Sequence, residues 1–254
     1  MKTLTINIIG AGLVGTETAY QLSQRGFKVN LYESKRLIKN PVQKQDSFDE
    51  LVCSNFLRSY SLTNGVGLLK HEMLAFDSLI IKAAYTSRVS AGGSLAVDRH
   101  QFLVYITTWL TNNSNVTLID QEVTTIDPNA ITLFASSPLT TPKLQATMQE
   151  LLGQEYFYFY AAAAPIITKE SIYFTKVYYK SRYDQGDSKD YINCPMTKDE
   201  FDLWVQPLIT AETVTLHDFE KEIYFEGCMP IVYKPHTFCI FGIYIFKKLI
   251  LLIF

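Results

Sequence analysis

The 254-residue chain has little cysteine and little histidine, four of each, and neither is grouped. Cys53, Cys194, Cys228 and Cys239 stand singly, which excludes a paired-cysteine zinc site and a disulfide-built secreted scaffold. His71, His100, His217 and His236 lie far apart without ligand spacing, so no metal site is expected. An excess of charge is also missing: 23 Lys and Arg against 25 Asp and Glu leave a net charge of -2, which gives no global attraction to nucleic acid. Any RNA partner must then be met by a local patch. A membrane-spanning apolar run is absent as well. Residues 238–254 come nearest, but Lys247 and Lys248 divide them, and each part is shorter than the roughly 20 residues a spanning helix needs. The N-terminus lacks a signal-peptide pattern, so a cytoplasmic protein without a membrane anchor is expected.

What is present suffices for a folded α/β protein: 48% hydrophobic residues with 19% charged. Residues 4–9 form a β-branched apolar run, a glycine cluster follows, helical spacing extends to Gly26, and residues 27–32 read as a second strand. Two parallel strands joined by a helix make a βαβ unit. Residues 34–66 are polar and without periodicity, the mark of a functional loop. Helical spacing returns over 68–84, and Asp98 caps a helix running through Leu110. Short strands are expected at 116–119, 122–126 and 131–135, then a helix from Thr141-Pro142 that stops at Gly153. Aromatic alternation at 156–160 and a strand-like stretch at 172–179 announce a second, mixed α+β subdomain, with a capping box at Thr197 to Glu200 opening a helix. The expected fold is therefore a Rossmann-like domain over 1–152, the start of a second subdomain over 153–230, and an aberrant apolar tail over 231–254.

The chemistry is most legible at Gly10-Ala11-Gly12-Leu13-Val14-Gly15, which follows a strand and opens a helix, and at Glu33, which closes the next strand. In this pattern Gly10 permits the tight turn, Gly12 lets the backbone approach a pyrophosphate, and Gly15 lets helix and strand pack closely. The helix N-terminus offers N–H groups to phosphates. Glu33 suits the hydroxyls of a ribose and repels a 2′-phosphate. A dinucleotide cradle is expected here, holding the ADP half of the ligand.

Other residues are less decisive. Cys53, after Leu51-Val52, reads as a small buried hydrophobe or as a thiol activated by Arg58. Cys228, after Gly227, is a buried thiol at a strand end or a nucleophile. Lys35, Arg36, Lys39 and Lys44 read as a solvated loop rather than a phosphate-binding patch.

Several blocks together carry a family likeness: the glycine turn, Glu50-Leu51-Val52-Cys53-Ser54-Asn55, Ser61-Leu62-Thr63-Asn64, Gly67-Leu68-Leu69-Lys70, Ala96-Val97-Asp98-Arg99-His100, Asn193-Cys194-Pro195-Met196 and Phe225-Glu226-Gly227-Cys228-Met229-Pro230. In order and over about residues 3–230, they resemble the bacterial folate- and flavin-dependent tRNA (uracil-5-)-methyltransferases. The resemblance implies FAD at the glycine turn, 5,10-methylenetetrahydrofolate as carbon donor, NAD(P)H as electron donor, and the T-loop uridine of tRNA as substrate. It also implies that Cys53 and Cys228 are the two catalytic cysteines. Uracil C5 is a poor nucleophile until a thiolate adds at C6, and the enolate then attacks the methylene. The target base has to leave its stack first.

The chain departs from the family pattern at Phe56, Ser137 and Ala161, which stand for a serine, a glycine and an aspartate. After Pro230 the likeness is expected to stop, leaving 24 residues of out-of-frame character and a truncated chain. Two other readings stay open: a merely nucleotide-binding or non-functional fragment, and a general FAD- or NAD-dependent oxidoreductase.

Overall fold

The computed structural model describes residues 4–39, 43–52, 54–136, 139–153, 168–181, 189–210 and 249–251. The chain divides into two compact units, 1–164 and 165–254.

In the first unit, β1 (Thr5–Ile9) leads through the glycine turn into α1 (Leu13–Gln24) and then β2 (Lys28–Glu33). These strands pair in parallel, with Thr5 opposite Lys28 and Ile9 opposite Tyr32. Strand β3 (Phe56–Ser59), helices α2 (Gly65–Ala75) and α3 (Leu79–Thr86), and strands β4 (Arg88–Val89) and β5 (Ser94–Val97) follow. Next come α4 (Arg99–Asn112), β6 (Val116–Asp120), β7 (Ile131–Phe134) and α5 (Pro142–Leu152). The main sheet runs β6-β2-β1-β7, parallel throughout, and a small antiparallel sheet runs β3-β5-β4.

Alternation along β1 sends Ile6 and Ile8 into one apolar cluster and Ile9 into another, because successive strand side chains face opposite sides. The larger cluster joins Ile8 and Leu31 to Ala19 and Tyr20 of α1, Leu79 and Ala83 of α3, and Phe102, Ile106 and Leu110 of α4. Each large aliphatic or aromatic side chain buried there contributes about 1.5–3 kcal/mol. On the other side Leu144 and Met148 of α5 pack on Ile9, with Val123 and Phe134 beside them. Covering helices on both faces are what an all-parallel sheet requires.

The caps follow the sequence. Asp98 accepts from the Gln101 N–H, and Thr141 accepts from the Leu144 N–H with Pro142 in the first helical turn. The helical spacing over 68–84 resolves into two helices, because Asp77 takes a left-handed φ of 65° and Ser78 caps α3. No strand forms at 122–126. The neighbouring strand β2 ends at Glu33, opposite Asp120, so the parallel pairing does not extend to these residues. The long loop predicted for 34–66 contains β3.

In the second unit, strands β8 (Tyr178–Tyr179), β9 (Ile192–Cys194) and β10 (Leu249–Leu251) form an antiparallel sheet. Of the strand predicted at 172–179, only its last two residues form one, after a 3-10 turn at Lys169–Ser171. Helix α6 (Lys198–Ile209) begins at a complete capping box between Thr197 and Glu200. The aromatic block at 156–160 and residues 211–248 lie outside the described residues.

Candidate functional site

The turn between β1 and α1 is built around its glycines. Gly10 has a φ of +102°, and a Cβ there would lie 2.7 Å from the carbonyl oxygen of Ala135. A Cβ on Gly15 would lie 1.8 Å from the carbonyl oxygen of Gly10, so a side chain would separate the helix from the strand. Around Gly12 the space is open, with nothing within 4 Å of a Cβ position. Two glycines thus close the turn, and the third leaves its outer side accessible. Helix α1 has Gly12 at its N-cap and no side-chain cap, so the positive end of the helix faces that space.

Glu33 ends β2 against this turn. Its Oε2 accepts the Ala11 N–H at 2.9 Å and its Oε1 accepts the Lys35 N–H at 2.9 Å. Each carboxylate oxygen keeps a further lone pair for a hydroxyl. The turn thus offers backbone N–H groups of the kind that suit an anion, and beside them a carboxylate of the kind that suits hydroxyls.

The segment after β2 folds back onto the turn. Asp49 takes a φ of 56°, and its N–H donates to the Ala11 carbonyl at 3.1 Å. Glu50 accepts the Lys44 and Gln45 N–H groups at 2.6 and 3.1 Å, which ties the loop to itself. Lys35 was expected to be solvated, and it is buried instead. Its side chain is 3% exposed, its Nζ lies 3.5 Å from Glu50 Oε2, and it also donates to the Ser47 carbonyl. A buried lysine needs such a counter-charge, and the loop supplies it. Arg36 and Lys39 remain half-exposed and pair with Asp120 and Asp46.

Together these parts wall a cavity of about 570 Å³. Gly10 to Val14 and Glu33 line it, with Asp49, Val52, Ser54 and Phe56 from the loop and Gln121 to Val123 from the stretch after β6. Glu122 and Val123, from the stretch where a strand was expected, are therefore cavity wall. Cys53 lies outside the described residues, but its neighbours Val52 and Ser54 both line the cavity. Cys228, Ser137 and Ala161 also lie outside the described residues.

Asp49 is the residue that sequence reasoning missed. It is fully buried, its Oδ1 lies 2.9 Å from Thr16 Oγ1, and its Oδ2 has no partner. Burial pushes its carboxyl up to about 8; Glu33 and Glu17 also raise it, while Thr16 and Lys35 pull it down. No sequence signal pointed to it, because its partner Thr16 is 33 positions away. Among the described residues no group of His, Cys, Asp or Glu side chains could hold a metal ion, and no helix is long and apolar enough to cross a membrane.

The sequence profile of the family described as glucose inhibited division protein A matches residues 5–237. Curated relatives from Bacillus cereus (strain AH187) and Bacillus anthracis (strain CDC 684 / NRRL 3495) are each 54% identical over 231 residues, or 91% of this chain and 53% of theirs. Both carry the name "Methylenetetrahydrofolate--tRNA-(uracil-5-)-methyltransferase TrmFO". The solved structure of Aquifex aeolicus GidA shares 16% identity at a TM-score of 0.39, covering 50% of this chain and 21% of that one. The chain spans about half the length of the curated relatives it matches. With its glycine turn and parallel sheet inside the matched segment, the chain belongs to the glucose inhibited division protein A family.

Proposed function

We propose that the first unit binds FAD through its ADP half and that the chain serves the folate-dependent methylation of the T-loop uridine of tRNA at C5. The observation that carries the reading is the cavity itself, where the glycine turn and Glu33 share walls with both neighbours of Cys53. A nucleotide cradle and a nucleophile's flanking residues on one cavity are what a flavin-linked base modification needs. The 54% identity to proteins named as tRNA methyltransferases supports the substrate class.

In this reading the pyrophosphate lies against Gly12 and the open end of α1, and the ribose hydroxyls meet Glu33. FAD supplies redox chemistry and one-carbon transfer from methylenetetrahydrofolate, with NAD(P)H as reductant. Cys53 and Cys228 are the nucleophile candidates: one thiolate adds at uracil C6 and the other assists proton handling. The tRNA meets the chain through a local surface, since the net charge of -2 gives no general attraction.

Purification followed by trapping tests this. A yellow protein that forms a covalent adduct with a 5-fluorouridine T-loop RNA, lost in Cys53→Ala or Cys228→Ala, is the expected result. A protein that reduces its flavin with NADH or NADPH yet forms no adduct overturns the methylation reading in favour of a general oxidoreductase.

A further inference from the structure

Asp49 has no part in the cradle as described, yet it sits against the turn and lines the cavity. The Thr16 hydroxyl lies 2.9 Å from Asp49 Oδ1 and 3.1 Å from the Gly12 carbonyl oxygen. A hydroxyl has one proton, and Thr16 shares it between these two acceptors, which leaves an ionised Asp49 short of the donors a buried carboxylate needs. A neutral Asp49 is the form this geometry favours. The unpartnered Oδ2 agrees, because a neutral carboxyl leaves a carbonyl-like oxygen there instead of half of a buried charge.

We propose that Asp49 is a proton-dependent binding residue of the cavity: neutral, it admits an anionic dinucleotide, and ionised, it repels one. This rests on the dinucleotide reading of the site. The charged groups around Asp49 are Glu17 on α1, Glu33 at the end of β2, and Lys35 in the loop, whose charge is already matched by Glu50. Burial raises the Asp49 carboxyl into the neutral range. A bound pyrophosphate adds negative charge beside it, so binding above that range must take up a proton.

The test is titration of the protein with FAD at pH 7, 8 and 9, followed by tryptophan fluorescence, for the wild type and Asp49→Asn. The wild type is expected to lose affinity by up to about tenfold between pH 8 and 9, while Asp49→Asn, which mimics the neutral acid, stays flat. Parallel curves for the two proteins overturn the proposal. Calorimetry of the wild type at pH 8.5, in two buffers of different ionisation enthalpy, gives a second reading free of any folding defect in the variant. Uptake of a proton on binding FAD supports the proposal, and its absence overturns it. Failure to bind FAD even at pH 7 instead removes the dinucleotide reading, and this proposal with it.

Discussion

The Ala11 N–H donates to Glu33 Oε2 at 2.9 Å, which fixes the end of β2 against the glycine turn that follows the neighbouring strand β1. The acidic residue is therefore a structural tie and, in the proposed reading, also the acceptor offered to a ribose. Replacing it separates these roles. Glu33→Gln keeps a carbonyl oxygen for Ala11, whereas Glu33→Ala loses both backbone bonds. We predict about tenfold weaker FAD binding for Glu33→Ala, equivalent to about 1.4 kcal/mol, with a smaller loss for Glu33→Gln. Equilibrium titration of both variants checks the order.

The glycines of the turn should respond differently to the same change. Gly15→Ala places a methyl group 1.8 Å from the Gly10 carbonyl oxygen and should lower stability by about 1–3 kcal/mol. Gly12→Ala meets nothing within 4 Å and should leave stability within about 1 kcal/mol while weakening FAD binding. Urea unfolding and FAD titration on the two variants measure this. Equal losses of stability would remove the distinction between closing the turn and facing the ligand.

Lys35 and Glu50 form a pair with side chains 3% and 10% exposed. Lys35→Met leaves Glu50 without its cation and should cost about 3 kcal/mol, more than an exposed pair is worth. Adding Glu50→Gln to Lys35→Met should restore part of the loss. A double-mutant cycle by denaturant unfolding gives the coupling.

Asp49 predicts a pH dependence of stability. Its folded carboxyl is raised to about 8 from an ordinary 3.8, so folding retains a proton that the unfolded chain has already released between those values. Stability of the wild type relative to Asp49→Asn should fall as pH rises through that window, by at most about 1.4 kcal/mol per pH unit, and level off above it. Unfolding of both proteins at pH 5, 6, 7 and 9 measures the difference. A constant difference across this range contradicts the burial argument.

The parts legible in the sequence were those specified locally. Gly10 to Gly15, the caps at Asp98, Thr141 and Thr197, and the apolar runs of β1 and β2 each depend on residues within a few positions of one another. What escaped depends on distant partners. The burial of Lys35 requires Glu50, and the strand expected at 122–126 fails because β2 runs out at Glu33. The helix over 68–84 breaks because Asp77, in a left-handed conformation, can pair with Lys82 and bond to Tyr20. Asp49 looks in sequence like one more surface acid, and only the fold sets it under the turn beside Thr16.

The most direct test of the central claim, that the glycine turn and Glu33 hold the ADP half of FAD, is competition binding. Protein loaded with FAD is challenged with ADP and, separately, with FMN, which has the flavin and one phosphate but no adenosine. ADP should displace FAD and FMN should not, and Gly12→Ala should weaken ADP and FAD together. Displacement by FMN with indifference to ADP would contradict the account.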